Sequence, residues 1–91
     1  MHSSKQKIEI CKGMVIKRLA DMPNNNLYRY ARKQIEFIES KLLENGKLTP
    51  DDYGNVKIGL MCAKELENID DEFCDAVYNM KSSIRPENYE V

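Results

Sequence analysis

Apolar residues recur at steps of three and four along most of the chain, and no stretch alternates residue by residue as a half-buried strand would. In the first segment, from about Ser4 to Ala20, Ile8, Cys11, Val15 and Leu19 fall on one face, which predicts an amphipathic helix. Gly13 weakens that helix by about 1 kcal/mol relative to alanine, so it depends on packing. The run "DMPNNN" breaks the pattern, because Pro23 disfavours helix at Met22 and the asparagines supply turn and N-cap chemistry. The second segment carries the clearest seam: Tyr28, Ala31, Ile35, Ile38 and Leu42 repeat at three, four, three and four. It predicts the spine of the fold, ended at Asn45-Gly46, where glycine takes a left-handed C′ position without steric cost.

"KLTPDDYG" then reads as a helix start, with Thr49 as N-cap, Pro50 at the first helical position, and Asp51 and Asp52 where the helix dipole favours negative charge. Val56, Leu60 and Ala63 continue its inward stripe, widened by Met61 or Leu66, and Gly54 and Gly59 inside it mark a close helix approach or a local weakness. At "NIDDEF", Asp70 caps a fourth helix, with Ile69 placed to pack on Cys74 as a hydrophobic staple and Phe73, Val77 and Met80 facing the core. The expected fold is all-α, a small single-domain bundle of about four helices within residues 1–91. The helices are expected near 4–20, 26–45, 50–68 and 71–82, around Val15, Leu19, Ile35, Ile38, Leu42, Leu60 and Phe73. The ends, 1–4 and 84–91, are expected to be mobile.

Size and charge narrow the function. A chain of 91 residues has a thin core and little room for a closed catalytic cavity. A net charge of −1 argues against nucleic-acid or membrane partners, yet the charge is unevenly spread. Residues 1–48 carry ten Lys/Arg against five Asp/Glu, and residues 49–91 carry four against ten. No apolar stretch is long enough for a signal peptide or a membrane span, because Glu9, Lys12 and Lys17 interrupt the first segment. Cys11, Cys62 and Cys74 match neither a disulfide framework nor a zinc site and read as reduced, buried thiols. The single histidine, His2, lies at the chain end, and no Ser or Cys has an identifiable base partner. "GNVKIG" lacks the Gly-Lys-Ser/Thr ending of a phosphate loop. Catalytic residues, metal ligands and cofactor-binding residues are therefore all expected to be absent. Lys17, Arg18, Arg29, Arg32 and Lys33 read as a solvated helical face.

One stretch resists so plain an account. "AKELENIDDEFCDAVYNM", residues 63–80, contains Glu65, Glu67, Asp70, Asp71, Glu72 and Asp75. A helix start prefers acids at Asp70, Asp71 and Glu72, each contributing roughly 0.3–1 kcal/mol. The same dipole disfavours Glu65 and Glu67 at the carboxyl end of the preceding helix. Two helix ends meeting here would gather acids on one corner, either as a solvated face or as an interaction surface.

The ordered series "VIKRLADMP", "RKQIEFIESKLL", "IGLMCAKELENIDDEF" and "DAVYNM" resembles the small helical immunity proteins of bacterial type VI secretion systems. It is most similar to those that neutralise an NAD(P)+ glycohydrolase effector, and the likeness covers roughly residues 7–80, including segment order and loop placement. The resemblance implies a cytoplasmic protein that is not an enzyme and that binds a cognate toxin domain one-to-one, blocking its active site. Lys64 and Glu65 in "AKEL", and Asp70 and Glu72 in the acidic continuation, fall within the matched run. With Glu67, Asp71 and Asp75 they are the candidate toxin-binding residues. An acidic corner can oppose the positive groups with which a pocket holds dinucleotide phosphates. The three-Asn loop at 24–26 and the lysine-rich second helix depart from the family pattern. An effector-binding chaperone or adaptor remains an alternative, as does immunity to a toxin of nucleotide-synthetase or ADP-ribosyltransferase type.

Overall fold

The computed structural model describes residues 4–86, and the described chain is helical without a strand. Helix α1 is Ser4–Asp21 and α2 is Asn26–Asn45. Short α3, Pro50–Gly54, is followed by α4, Ile58–Met61, which runs directly into a π-helical turn, Cys62–Leu66, and α5 is Asp71–Ser83. Expectations about His2, the first three residues and 87–91 lie outside the described residues.

The turn chemistry is that expected of the sequence. Asn25 Oδ1 accepts from the Leu27 and Tyr28 amides and starts α2. Gly46, at φ 73°, ends α2 by donating its N–H to Leu42 O at 2.8 Å. Thr49 caps α3 through a reciprocal capping box with Asp52. α1 packs along both α2 and α5, and α4 touches α2 and α5 from the remaining side. Val15, Ile35, Ile38 and Phe73 are buried as the spacing predicts, while Leu19 and Leu42 are partly buried against the same core. Cys11, Cys62 and Cys74 are buried free thiols, and the desolvation of burial raises the pKa of all three.

The third segment departs from the expected single helix over 50–68. α3 stops at Gly54, and Asn55–Lys57 form a break in which the Lys57 N–H donates to Gln34 Oε1 at 2.6 Å. The restart resets the helical phase. Val56, Ile58, Cys62 and Leu66 become the buried stripe, whereas Leu60 is 53% exposed and Ala63 faces solvent. Leu60 is therefore not a core residue. Gly59 marks the close approach anticipated for it, since a Cβ there would stand 2.8 Å from Lys81 Cδ. At the far end, the packed chain continues one residue past α5, because Ile84 is fully buried. Among the described residues, no helix is long and apolar enough to cross a membrane.

Candidate interaction surface

The acidic corner is built on the junction between the π turn and α5. Glu67 donates its N–H to Cys62 O at 2.9 Å, closing the wide turn that carries Lys64 and Glu65 to the surface. Leu66, buried beneath it, accepts through its carbonyl from both the Ile69 and Asp70 amides, at 3.0 and 2.8 Å. Asn68 stands between them in the left-handed region at φ 68°, a conformation asparagine tolerates better than most residues. Its N–H donates to Asp71 Oδ1 at 2.7 Å. The loop is thus held by backbone and side-chain bonds at nearly every residue.

Ile69 does not make the expected staple on Cys74. It is 77% exposed. With the left-handed residue before it and Asp70 drawn inward after it, the loop turns the Ile69 side chain out, and the Cys74 thiol instead contacts Cys62 O at 3.7 Å.

Asp70 has tasks inside the molecule. Its Oδ2 accepts from Arg18 Nε at 2.9 Å and from the Tyr28 hydroxyl at 2.5 Å, and its Oδ1 accepts from Arg18 Nη2 at 3.1 Å and the Phe73 amide at 3.3 Å. Its side chain is only 12% exposed. Bonding to the Arg18 guanidinium, helped by Tyr28 and the Phe73 amide, holds its pKa below the ordinary carboxylate value against the opposing effect of burial. Arg18 is correspondingly raised, first by its bond to Asp70. Burial, followed by the bond to Asp70, pushes the Tyr28 hydroxyl up to about 12.

The remaining candidates are exposed and divide between two sides of the loop. Lys64 and Glu65 line a shallow groove of about 320 Å3 with Leu27, Tyr30, Lys57 and Leu60. Glu72 and Asp75 line another of about 440 Å3, whose other wall is Ile10 and Met14 of α1. Glu67 and Asp71 line neither groove but lie close enough to Cys74 for their charges to raise its pKa further, after burial. Glu72 Oε1 also lies 3.5 Å from Arg18 Nη2, so one acid of the rim is partly paired.

Sequence reasoning missed three contributors to this surface. Arg18 and Tyr28 are 52 and 42 positions from the carboxylate they hold, a separation at which spacing rules carry no signal. The staple pattern points Ile69 inward, although the asparagine before it hints at a left-handed turn. Among the described residues, no group of three or more His, Cys, Asp or Glu is placed to hold a metal ion.

A family model described as Tsi6 matches residues 6–85. No curated protein and no solved structure matches the chain.

Proposed function

The chain belongs to the Tsi6 family of type VI secretion immunity proteins, and from that premise we propose that it binds the toxin domain of a cognate effector one-to-one in the cytoplasm and occludes its active site. It acts by binding alone, without catalysis or cofactor, and the toxin is an NAD(P)+ glycohydrolase. The observation that carries this reading is the extent of the family match. It spans residues 6–85, from the first turns of α1 to the end of α5, so the matched unit includes the whole helical domain and its acidic junction.

Surface geometry supports an inhibitory interface at that junction. Lys64, Glu65, Glu67, Asp71, Glu72 and Asp75 are exposed, and the apolar side chains of Leu60 and Ile69 are exposed in the same stretch of chain. A site that holds dinucleotide phosphates presents positive charge and backbone donors, which an acidic surface complements. Asp70 supports the surface from within, because its bonds to Arg18 and Tyr28 fix the loop that displays the others.

The test is co-expression of a cognate toxin domain, sought first in the neighbouring gene, with and without this protein. Growth rescue, a stable one-to-one complex and preserved NAD(P)+ are expected. Failure to bind or to rescue overturns the immunity reading. Rescue from a toxin that leaves NAD(P)+ intact overturns the glycohydrolase assignment alone, and binding without inhibition favours an adaptor role.

A further inference from the structure

We propose that Ile69 is the apolar anchor of the toxin interface, held out on a pre-set loop for insertion into an apolar socket rimmed by cationic groups. The inference rests on the immunity reading above and adds to it the contact that would hold the complex together.

Three independent observations converge on this side chain. The first is exposure: Ile69 is 77% accessible, more than Ile10 and Ile16 at 58% and 50%, while Ile8, Ile35, Ile38, Ile58 and Ile84 are buried. A large β-branched side chain left in water gains nothing for folding, and docking against a partner would remove it from water.

The second is constraint. Leu66 O accepts from both the Ile69 and Asp70 amides, the Asn68 N–H is held by Asp71, and Asp70 is clamped by Arg18 and Tyr28. The loop holds Asn68 in the left-handed region and follows a π-helical turn. Both features recur at functional sites, where surrounding structure compensates for unfavourable local geometry. A loop fixed before binding loses little conformational freedom on docking.

The third is the surroundings. Glu67 and Asp71 flank Ile69 along the chain, with Glu65 and Glu72 beyond them, and all four are exposed. An exposed apolar residue with acids close on either side in the chain suits an interface in which one desolvated residue dominates affinity while charged neighbours steer approach. Leu43 is more exposed, at 90%, but it stands on the regular surface of α2 with no comparable constraint around it.

The partner's chemistry follows. A socket for Ile69 must be apolar and sized for a branched aliphatic group, and its edge must carry lysine, arginine or helix N-termini to meet the acids. Such an edge fits the mouth of a site that binds nucleotide phosphates.

The experiment measures binding of the full chain to the cognate toxin domain identified by the co-expression test, for the parent, Ile69→Leu, Ile69→Ala and Ile69→Asp. Melting temperatures should agree across the series, because the side chain is exposed. Ile69→Ala should raise the dissociation rate at least about tenfold while leaving the association rate and its salt dependence within about twofold of the parent. Ile69→Leu should retain most of the parent's residence time, and Ile69→Asp should abolish stable binding. If the parent binds and Ile69→Ala dissociates at the parent's rate, the anchor assignment is overturned and the immunity reading stands. If the parent itself does not bind, both are overturned.

Discussion

The Tyr28 hydroxyl donates to Asp70 Oδ2 across 2.5 Å, and the same oxygen accepts from Arg18 Nε at 2.9 Å, so one carboxylate ties the start of α2 and the end of α1 to the start of α5. The pair sits directly behind the acidic loop. Asp70→Ala removes an N-cap and two charge-assisted bonds, and it leaves the buried Tyr28 hydroxyl without its acceptor. The expected loss is about 2–4 kcal/mol by urea denaturation. Asp70→Asn, which retains capping ability, should lose less. Equal stability of Asp70→Ala and the parent would show that water replaces the carboxylate at no cost.

The same cluster sets the pH dependence of stability. Asp70 is depressed in the folded state, so its contribution is complete above the unfolded value near 3.8 and is lost as pH falls through the lower folded value. At the alkaline end the sign reverses. Tyr28 and the three cysteines are raised, so the folded state keeps protons that the unfolded chain releases. Stability should therefore fall as pH climbs from the ordinary cysteine value of 9.0 towards 12. Urea midpoints measured from pH 2 to 11 should trace both limbs. In Asp70→Asn the acid limb should shrink while the cysteine part of the alkaline limb survives.

Gly59 tests the joint between the broken third segment and α5. A Cβ at Gly59 would meet Lys81 Cδ at 2.8 Å, and Lys81 is itself held with its Nζ 3.5 Å from Val56 O and 5.2 Å from the Tyr53 ring centroid. Alanine would improve helix propensity by up to about 1 kcal/mol. Displacing the lysine stem from a packed position is expected to outweigh that gain, for a net destabilisation of about 0.5–1.5 kcal/mol. In a Lys81→Ala background the same substitution should become neutral or stabilising. A double-mutant cycle showing no coupling would mean that Lys81 moves aside freely.

What the sequence made legible was whatever depends on neighbours in the chain. The α2 seam from Tyr28 to Ile38, the Asn25 and Thr49 caps and the Gly46 terminator are each set by residues within one or two turns, and each is found where spacing places it. In the third segment Gly54 marked the local weakness at which α3 stops, but the partner that fixes the break comes from outside. Gln34 of α2 takes the Lys57 amide, and no local signal at Asn55–Lys57 announces that partner. Once the phase is reset, Leu60 moves out and Ile58 moves in. The candidate surface failed in a similar way at Asp70, whose sequence context shows a cap but not the arginine 52 positions away. Local chemistry predicted where the acids lie, and tertiary packing decided which of them reach solvent.

Reversing Glu65 to lysine tests whether the charged surface steers the toxin. Glu65 is exposed on the π turn, takes no part in holding the Asn68 loop and lies in a groove with Lys57 and Lys64. Its replacement should change stability by about half a kcal/mol or less. Asp71 is the less clean choice, because it accepts the Asn68 amide and its loss would loosen the loop as well as remove a charge. If Glu65 lies on the rim of the interface, Glu65→Lys should slow association, and the deficit should shrink as salt rises, since interactions between exposed charges are screened beyond about 10 Å at 0.1 M ionic strength. If Glu65 is instead desolvated in the complex, the dissociation rate rises and the loss reaches roughly 2–5 kcal/mol. Stopped-flow binding at several ionic strengths separates the two cases. Parent-like rates at every salt concentration would place Glu65 outside the contact. The charged part of the interface would then lie with Glu72 and Asp75, which face the groove walled by Ile10 and Met14.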